Sequence, residues 1–219
     1  MSWIYRQARS FYRTVIRLAP WDSVPYATHL PVLAALSAVV RPKVIVEFGS
    51  GTYSTLAFLD RAIFPTVESL VSLEDDSAWY EKMKQFVSAD SRASLRLVAS
   101  PVASQVRSIV WSAVDLIFVD DSEERGRAMT LKELSKHVSG TPVVLHDYNS
   151  LRLRWATRPF ERRYCFNIWN PQTGVLWNGN LPCYQHLDRV DSILRDNKEL
   201  SVHDTAGWCL ALSRLPKAS

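Results

Sequence analysis

The chain has 219 residues, 47% of them hydrophobic and 22% charged, with a formal net charge of +4. That length fits one sizeable domain, and that composition excludes a disordered or fibrous protein. Much of the excess charge sits at Arg6, Arg9, Arg13 and Arg17, which leaves the rest near balance and argues against a nucleic-acid-binding stripe.

Residues 3–19 place Ile4, Ala8, Phe11, Tyr12, Val15 and Leu18 on one helical face, with those arginines largely outside it. Residues 1–27 therefore read as a helical extension that packs on its own domain or on a second copy in a homo-oligomer. Peripheral contact of residues 3–19 with anionic lipid is the sharper alternative. Residues 28–219 read as the main domain. An apolar helix over 28–40 stops at Arg41-Pro42. A β-branched run over 43–48 then ends in Gly-x-Gly and reads as a buried parallel strand.

From there strands and helices alternate. Helices are expected over 54–63, 79–88 and 127–137. Strands are expected over 70–74, 95–98, 114–120 and 141–147. Such alternation implies α/β architecture, a doubly wound, mostly parallel Rossmann-like sheet with helices on both faces. Ligands of such sheets bind at the carboxyl ends of the strands. In the tail, residues 164–169 and 175–177 read as an antiparallel hairpin around Asn170-Pro171-Gln172-Thr173-Gly174. Residues 187–194 read as a helix and 208–212 as a last strand.

Three cysteines, Cys165, Cys183 and Cys209, form no CxxC pair and imply free thiols. The first residues lack the apolar core of a leader, and the apolar stretch over 30–40 is too short to span a bilayer. A cytoplasmic, soluble protein is the expectation.

The chemistry begins at the first strand-to-helix turn. The chain has only seven glycines, yet Gly49 and Gly51 both fall here. A turn this sharp needs positions without a Cβ, where a ligand can come close and helix-terminal amides can meet it. Ser54 stands where dinucleotide enzymes carry their third glycine. Glu47, two residues before Gly49, would repel a pyrophosphate but suit an ammonium group, such as that of S-adenosylmethionine (SAM). Glu74 ends the second strand, where a carboxylate accepts bonds from ribose hydroxyls. Asp75 and Asp76 follow, one of them a candidate helix cap.

Glu47-Phe48-Gly49-Ser50-Gly51-Thr52-Tyr53-Ser54 resembles the first motif of class I SAM-dependent methyltransferases, acid-x-Gly-x-Gly. Glu74 matches that family's acid after the second strand. Val119-Asp120-Asp121 and Leu145-His146-Asp147-Tyr148 look like the strand-four and strand-five ends of a small-molecule O-methyltransferase branch. The resemblance covers about residues 28–150 and implies SAM as cofactor and methyl transfer to a small molecule. It implies a cofactor shell of Glu47, Gly49, Ser50, Gly51, Thr52, Tyr53, Ser54, Glu74, Asp75, Ser100 and Asp120. The chain departs from the family at Val98-Ala99-Ser100-Pro101, where an acid often stands near the adenine, and at Asp121, where glycine is common.

If the acceptor is a hydroxyl, a base must take its proton. His146, Asp120 and Asp147 are the candidates, His146 foremost by its ordinary pKa. His146 and Asp147 would point to opposite faces unless the strand has already ended. Asp120, Asp121, Asp147 and Asn149 admit a divalent cation, but the Asn does not directly follow the Asp as in the metal-dependent relatives, so no metal ligand is assigned. Arg125 and Arg127 read as solvated residues of a helix start, with contact to an acidic substrate as the alternative. Trp169 and Trp177 read as packing of an edge hairpin, or as a platform for a sugar or planar acceptor. Pro182-Cys183 lies far from the strand-four position that a cytosine methyltransferase needs. The rival readings are an NAD-type oxidoreductase and a non-catalytic interaction module.

Overall fold

The computed structural model describes residues 24–121, 123–181, 184–213 and 215. The expected helix over 3–19 and Pro182-Cys183 lie outside the described residues.

Two helices precede the sheet, α1 (Val24–Ala27) and α2 (Leu30–Val40). The alternation then runs β1 (Val44–Phe48), α3 (Ser54–Leu59), β2 (Ser69–Glu74), α4 (Ser77–Val87), β3 (Ala93–Leu97), β4 (Leu116–Val119), α5 (Glu124–His137), β5 (Val143–Leu145) and α6 (Leu151–Ala156). Two short 3-10 helices, Val102–Ser108 and Trp111–Ala113, take the place of a full helix between β3 and β4. The tail adds β6 (Arg162–Phe166), β7 (Thr173–Trp177), α7 (Leu187–Asp196) and α8 (Thr205–Leu212).

The seven strands lie in the order β3-β2-β1-β4-β5-β7-β6. All are parallel except β7, which runs against both β5 and β6. The expected parallel sheet, the helices on both faces and the antiparallel hairpin are all present. A dinucleotide fold orders six parallel strands 3-2-1-4-5-6. Here a reversed strand is wedged between the fifth and sixth.

Strand residues alternate between two cores, as a sheet buried on both faces requires. Leu116, Phe118, Val144, Val175 and Trp177 join a core with α2, α3, α7 and α8. Ile117, Val119, Leu145 and Leu176 join the opposite one with α5 and α6. Trp177 is a fully buried part of the first core, and Trp169 packs edge-on against Trp208 at 5.5 Å. The tail aromatics are thus packing residues and form no open platform.

The expected strand over 208–212 is a helix instead. Asp204 caps α8 by accepting from the Gly207 amide at 2.9 Å. A short apolar run fits either element, and the cap upstream decides it. The helix expected to reach residue 63 ends at Leu59, where the Asp60 backbone turns extended.

Gly49 has φ +85°, and a Cβ there would lie 2.5 Å from the Asp120 carbonyl oxygen. The missing Cβ lets the end of β1 approach the end of β4, so the close neighbour is backbone as well as any ligand. Gly49→Ala should therefore lower stability by about 2–4 kcal/mol, from positive φ plus overpacking. Urea denaturation would measure it, and a loss under about 1 kcal/mol would show that the turn can relax.

Candidate functional site

The carboxyl ends of β1, β2, β4 and β5 bring most of the expected residues into one region. Glu47, the fourth residue of β1, faces the same side as Ile45 and is fully buried. Its Oε2 accepts from Thr55 Oγ1 at 2.7 Å and Ser72 Oγ at 2.5 Å. Its Oε1 is buried with no properly formed hydrogen bond, although the Ser54 hydroxyl is near enough to favour the charge. Burial pushes the Glu47 pKa up to about 7 against the pull of the Ser54, Ser72 and Thr55 hydroxyls. A buried carboxylate with one free oxygen suits a cationic group brought by a ligand.

Glu74 closes the other side of the turn. Its Oε2 accepts from Ser50 N at 3.0 Å and Ser50 Oγ at 2.8 Å. Its Oε1 accepts from the Asp75 and Asp76 amides, both at 3.0 Å. The Trp79 indole donates to the Ser50 carbonyl at 2.6 Å and pins the turn from α4. Thr52, Tyr53 and Ser54 are buried behind it, with the Tyr53 ring 5.4 Å from His203. Asp76 is the helix cap, accepting from Trp79 N, while Asp75 stands half-buried beside Glu74. Ser100 is exposed on the loop after β3.

At the ends of β4 and β5 the charges gather around Arg127. This largely buried guanidinium lies 3.2 Å from Asp120 Oδ1 and 2.6 Å from Asp147 Oδ2. It also donates from Nε to the Asp121 carbonyl at 3.0 Å. Far from solvating a helix start, Arg127 organises the cluster. Strand β5 ends at Leu145, and Asp147 takes a left-handed conformation at φ +59°. The strict alternation is broken there, so His146 and Asp147 turn toward one region.

His146 is buried between them. Its Nδ1 is 3.3 Å from Asp120 Oδ2 and 3.8 Å from Asp147 Oδ1. Its Nε2 is 3.1 Å from Thr28 Oγ1, which donates to the Pro171 carbonyl at 2.9 Å. A carbonyl only accepts, so the hydroxyl proton points to Pro171 and Nε2 must be the donor to Thr28. A carboxylate also only accepts, so in the absence of another cation Nδ1 carries a proton too. Burial opposes this charge, but Asp120 and then Asp147 outweigh it, and the His146 pKa is raised. A histidine that holds its proton more tightly is a weaker general base.

The oxygen groups that the sequence left open to a divalent cation are each engaged elsewhere. Asp121 is turned inward to accept from Thr130 at 2.8 Å, and burial raises its pKa to about 7. Asn149 accepts from the Gln172 amide at 3.3 Å. Asp120 and Asp147 are held by Arg127. Residues that sequence reasoning missed are Thr55, Ser72, Thr28, His29 and Arg127. Only the hydroxyl of Thr55, eight residues after Glu47, lay near a motif.

No protein-family profile and no curated protein matches the chain. Solved structures do match it. A candidate caffeoyl-CoA O-methyltransferase from Staphylococcus aureus aligns at TM-score 0.55 and 13% identity, over 82% of this chain and 93% of that one. A candidate O-methyltransferase from Klebsiella pneumoniae aligns at TM-score 0.52 and 18% identity, over 82% and 91%. A methyltransferase from Geobacter sulfurreducens aligns at TM-score 0.50 and 11% identity, over 75% and 92%. The chain therefore has the Rossmann-like fold of the class I methyltransferases. At these identities the likeness is one of fold, and function has to be argued from the site.

Proposed function

We propose that the protein binds SAM and transfers its methyl group to a small-molecule acceptor, at oxygen. The observation that carries this reading is the buried Glu47 carboxylate, with its free Oε1, beside a glycine turn that Glu74 closes. Both carboxylates sit on strand ends of the matching fold. In this reading Glu47 takes the ammonium end of the cofactor. Glu74 takes the ribose hydroxyls, with Ser50 Oγ giving way as the competing donor. Gly49, Ser50, Gly51, Thr52, Tyr53 and Ser54 line the turn, Asp75 and Ser100 lie along the adenosine side, and Asp120 borders the methyl side.

The cofactor supplies an activated methyl on a positively charged sulfur, and the protein contributes mainly alignment of the acceptor. The acceptor proton goes to a carboxylate at the β4 and β5 ends, Asp120 or Asp147, both partly open to solvent. His146 and Arg127 orient those carboxylates. His146 thus acts as a positioning residue in place of the base.

Calorimetric titration with S-adenosylhomocysteine, with NAD in parallel, tests the reading. The expected outcome is micromolar binding of the first and none of the second. Glu74→Ala should weaken that binding by about 1.5–3 kcal/mol, roughly tenfold to 150-fold, the size of lost charge-assisted hydrogen bonds. Binding of NAD alone, or of neither ligand, would remove the assignment. Unchanged affinity in a folded Glu74→Ala protein would remove Glu74 from the site.

A further inference from the structure

His29 is the most anomalous side chain among the described residues. It occupies the position before α2, is 2% exposed, and both of its ring nitrogens lack a hydrogen-bond partner. Its ring stands 4.8 Å from that of His146, edge to face, and 4.9 Å from that of Phe118. A buried imidazole with two unmatched polar atoms is costly, and native interiors rarely keep one without a reason. No role in binding SAM has fallen to it.

We propose that His29, His146 and Asp120 bind one divalent transition-metal ion of the zinc class. One donor atom from each ring and one Asp120 oxygen all lie within 4.8 Å of one another. The His146 Nδ1 to Asp120 Oδ2 separation is 3.3 Å. That matches the edge of a tetrahedron with metal–ligand bonds of about 2.0–2.1 Å. The His29 edges are longer, but His29 has no hydrogen bond to break as it swings in. Two imidazoles and one carboxylate form the donor set of open zinc and non-haem iron sites, with a position left for water or substrate. Magnesium and calcium prefer oxygen donors, so this set selects against them.

The surroundings agree. Thr28 accepts from His146 Nε2, the outer-shell bond that leaves Nδ1 as the ligating nitrogen. The ion would displace the proton that Nδ1 otherwise carries. Asp147 Oδ1, 3.8 Å from Nδ1, stands one step outside the three ligands, and Arg127 balances its charge. Entry runs past the partly exposed Asp120. The site stands on this geometry and can be tested apart from methyl transfer, although it shares Asp120 with the acceptor side proposed above.

The test uses tag-free, chelator-treated full-length protein titrated with Co²⁺. The visible d–d absorption reports nitrogen ligation, and Zn²⁺ competes it away. One equivalent should bind. His29→Ala should lower Co²⁺ affinity more than roughly 100-fold, since losing a ligand costs more than losing an outer-shell partner. Thr28→Val should lower it roughly tenfold. His137→Ala, on the surface of α5, should change nothing. His29→Asn keeps bulk and polarity without the ligating ring, should the alanine variant fold poorly. In wild type, the ring ¹⁵N signals of His29 and His146 should both shift on adding Zn²⁺, which needs no variant. A wild type that takes up no stoichiometric Co²⁺, rings that do not shift, or a folded His29 variant with undiminished affinity would each overturn the site. A buried water would then be what satisfies His29.

Discussion

Glu47→Gln should weaken S-adenosylhomocysteine binding and at the same time make the ligand-free protein more stable at about pH 8. The binding loss follows from removing a buried charge that faces an ammonium, about 1.5–3 kcal/mol, roughly tenfold to 150-fold in affinity. The stability gain follows from burial. Glu47 has a folded-state pKa of about 7, raised from an ordinary carboxylate value near 4.5. A group raised in this way stabilises the fold below its unfolded pKa, and that stabilisation is lost as pH rises through about 7. The shift corresponds to about 3 kcal/mol between the two protonation states, part of which an uncharged glutamine recovers. Wild-type stability should fall from about pH 5 to about pH 8, with buried Asp121 acting in the same direction, and the variant should fall less. Urea denaturation at the two pH values reads the stability, and calorimetry reads the affinity. In wild type, affinity should rise with pH up to about 7, as Glu47 ionises. A variant that binds as tightly as wild type would take Glu47 out of the cofactor site.

Arg127→Met should destabilise the protein by about 3 kcal/mol. Breaking a buried ion pair costs about 3–5 kcal/mol because a charge is left without its partner. Asp120 and Asp147 are 26% and 36% exposed, so water screens them and the lower end of that range applies. The largely buried guanidinium also leaves the Asp121 carbonyl short of a donor. Adding Asp147→Asn to Arg127→Met should restore part of the loss, because it removes one of the stranded charges. A double mutant that is no more stable than Arg127→Met would place the cost in packing around the methylene stem. The S-adenosylhomocysteine affinity should change less than the stability, since Arg127 lies on the β4–β5 side of the site.

The residues of the proposed cofactor side were legible in the sequence because their signals are local. Glu47, Gly49 and Gly51 lie within one turn, and Glu74 ends the next strand. The contacts of the proposed acceptor side were not. His146 looks like a base when read as an isolated imidazole with an ordinary pKa. Its contacts are with Thr28, 118 positions earlier, and with Asp120 at the end of the neighbouring strand. Arg127 gave no motif, because a cation near a helix start is usually solvated. The terminal apolar run 208–212 fits a strand and a helix equally well, and the Asp204 cap chose the helix.

By itself, the sequence determined the alternation of strands and helices from β1 to β5, the parallel sheet with its antiparallel hairpin, and the turn flanked by two acids. These depend on hydrophobic periodicity and on residues a few positions apart, which any reader of the chain can see. The tertiary structure alone decided the wedging of β7 between β5 and β6, the ion cluster around Arg127, the raised pKa of His146 and the meeting of His29 with it. Those features depend on burial and on charges brought together by the fold. Neither has a sequence-local signal, because desolvation and Coulomb energy depend on distance in space and not on distance along the chain.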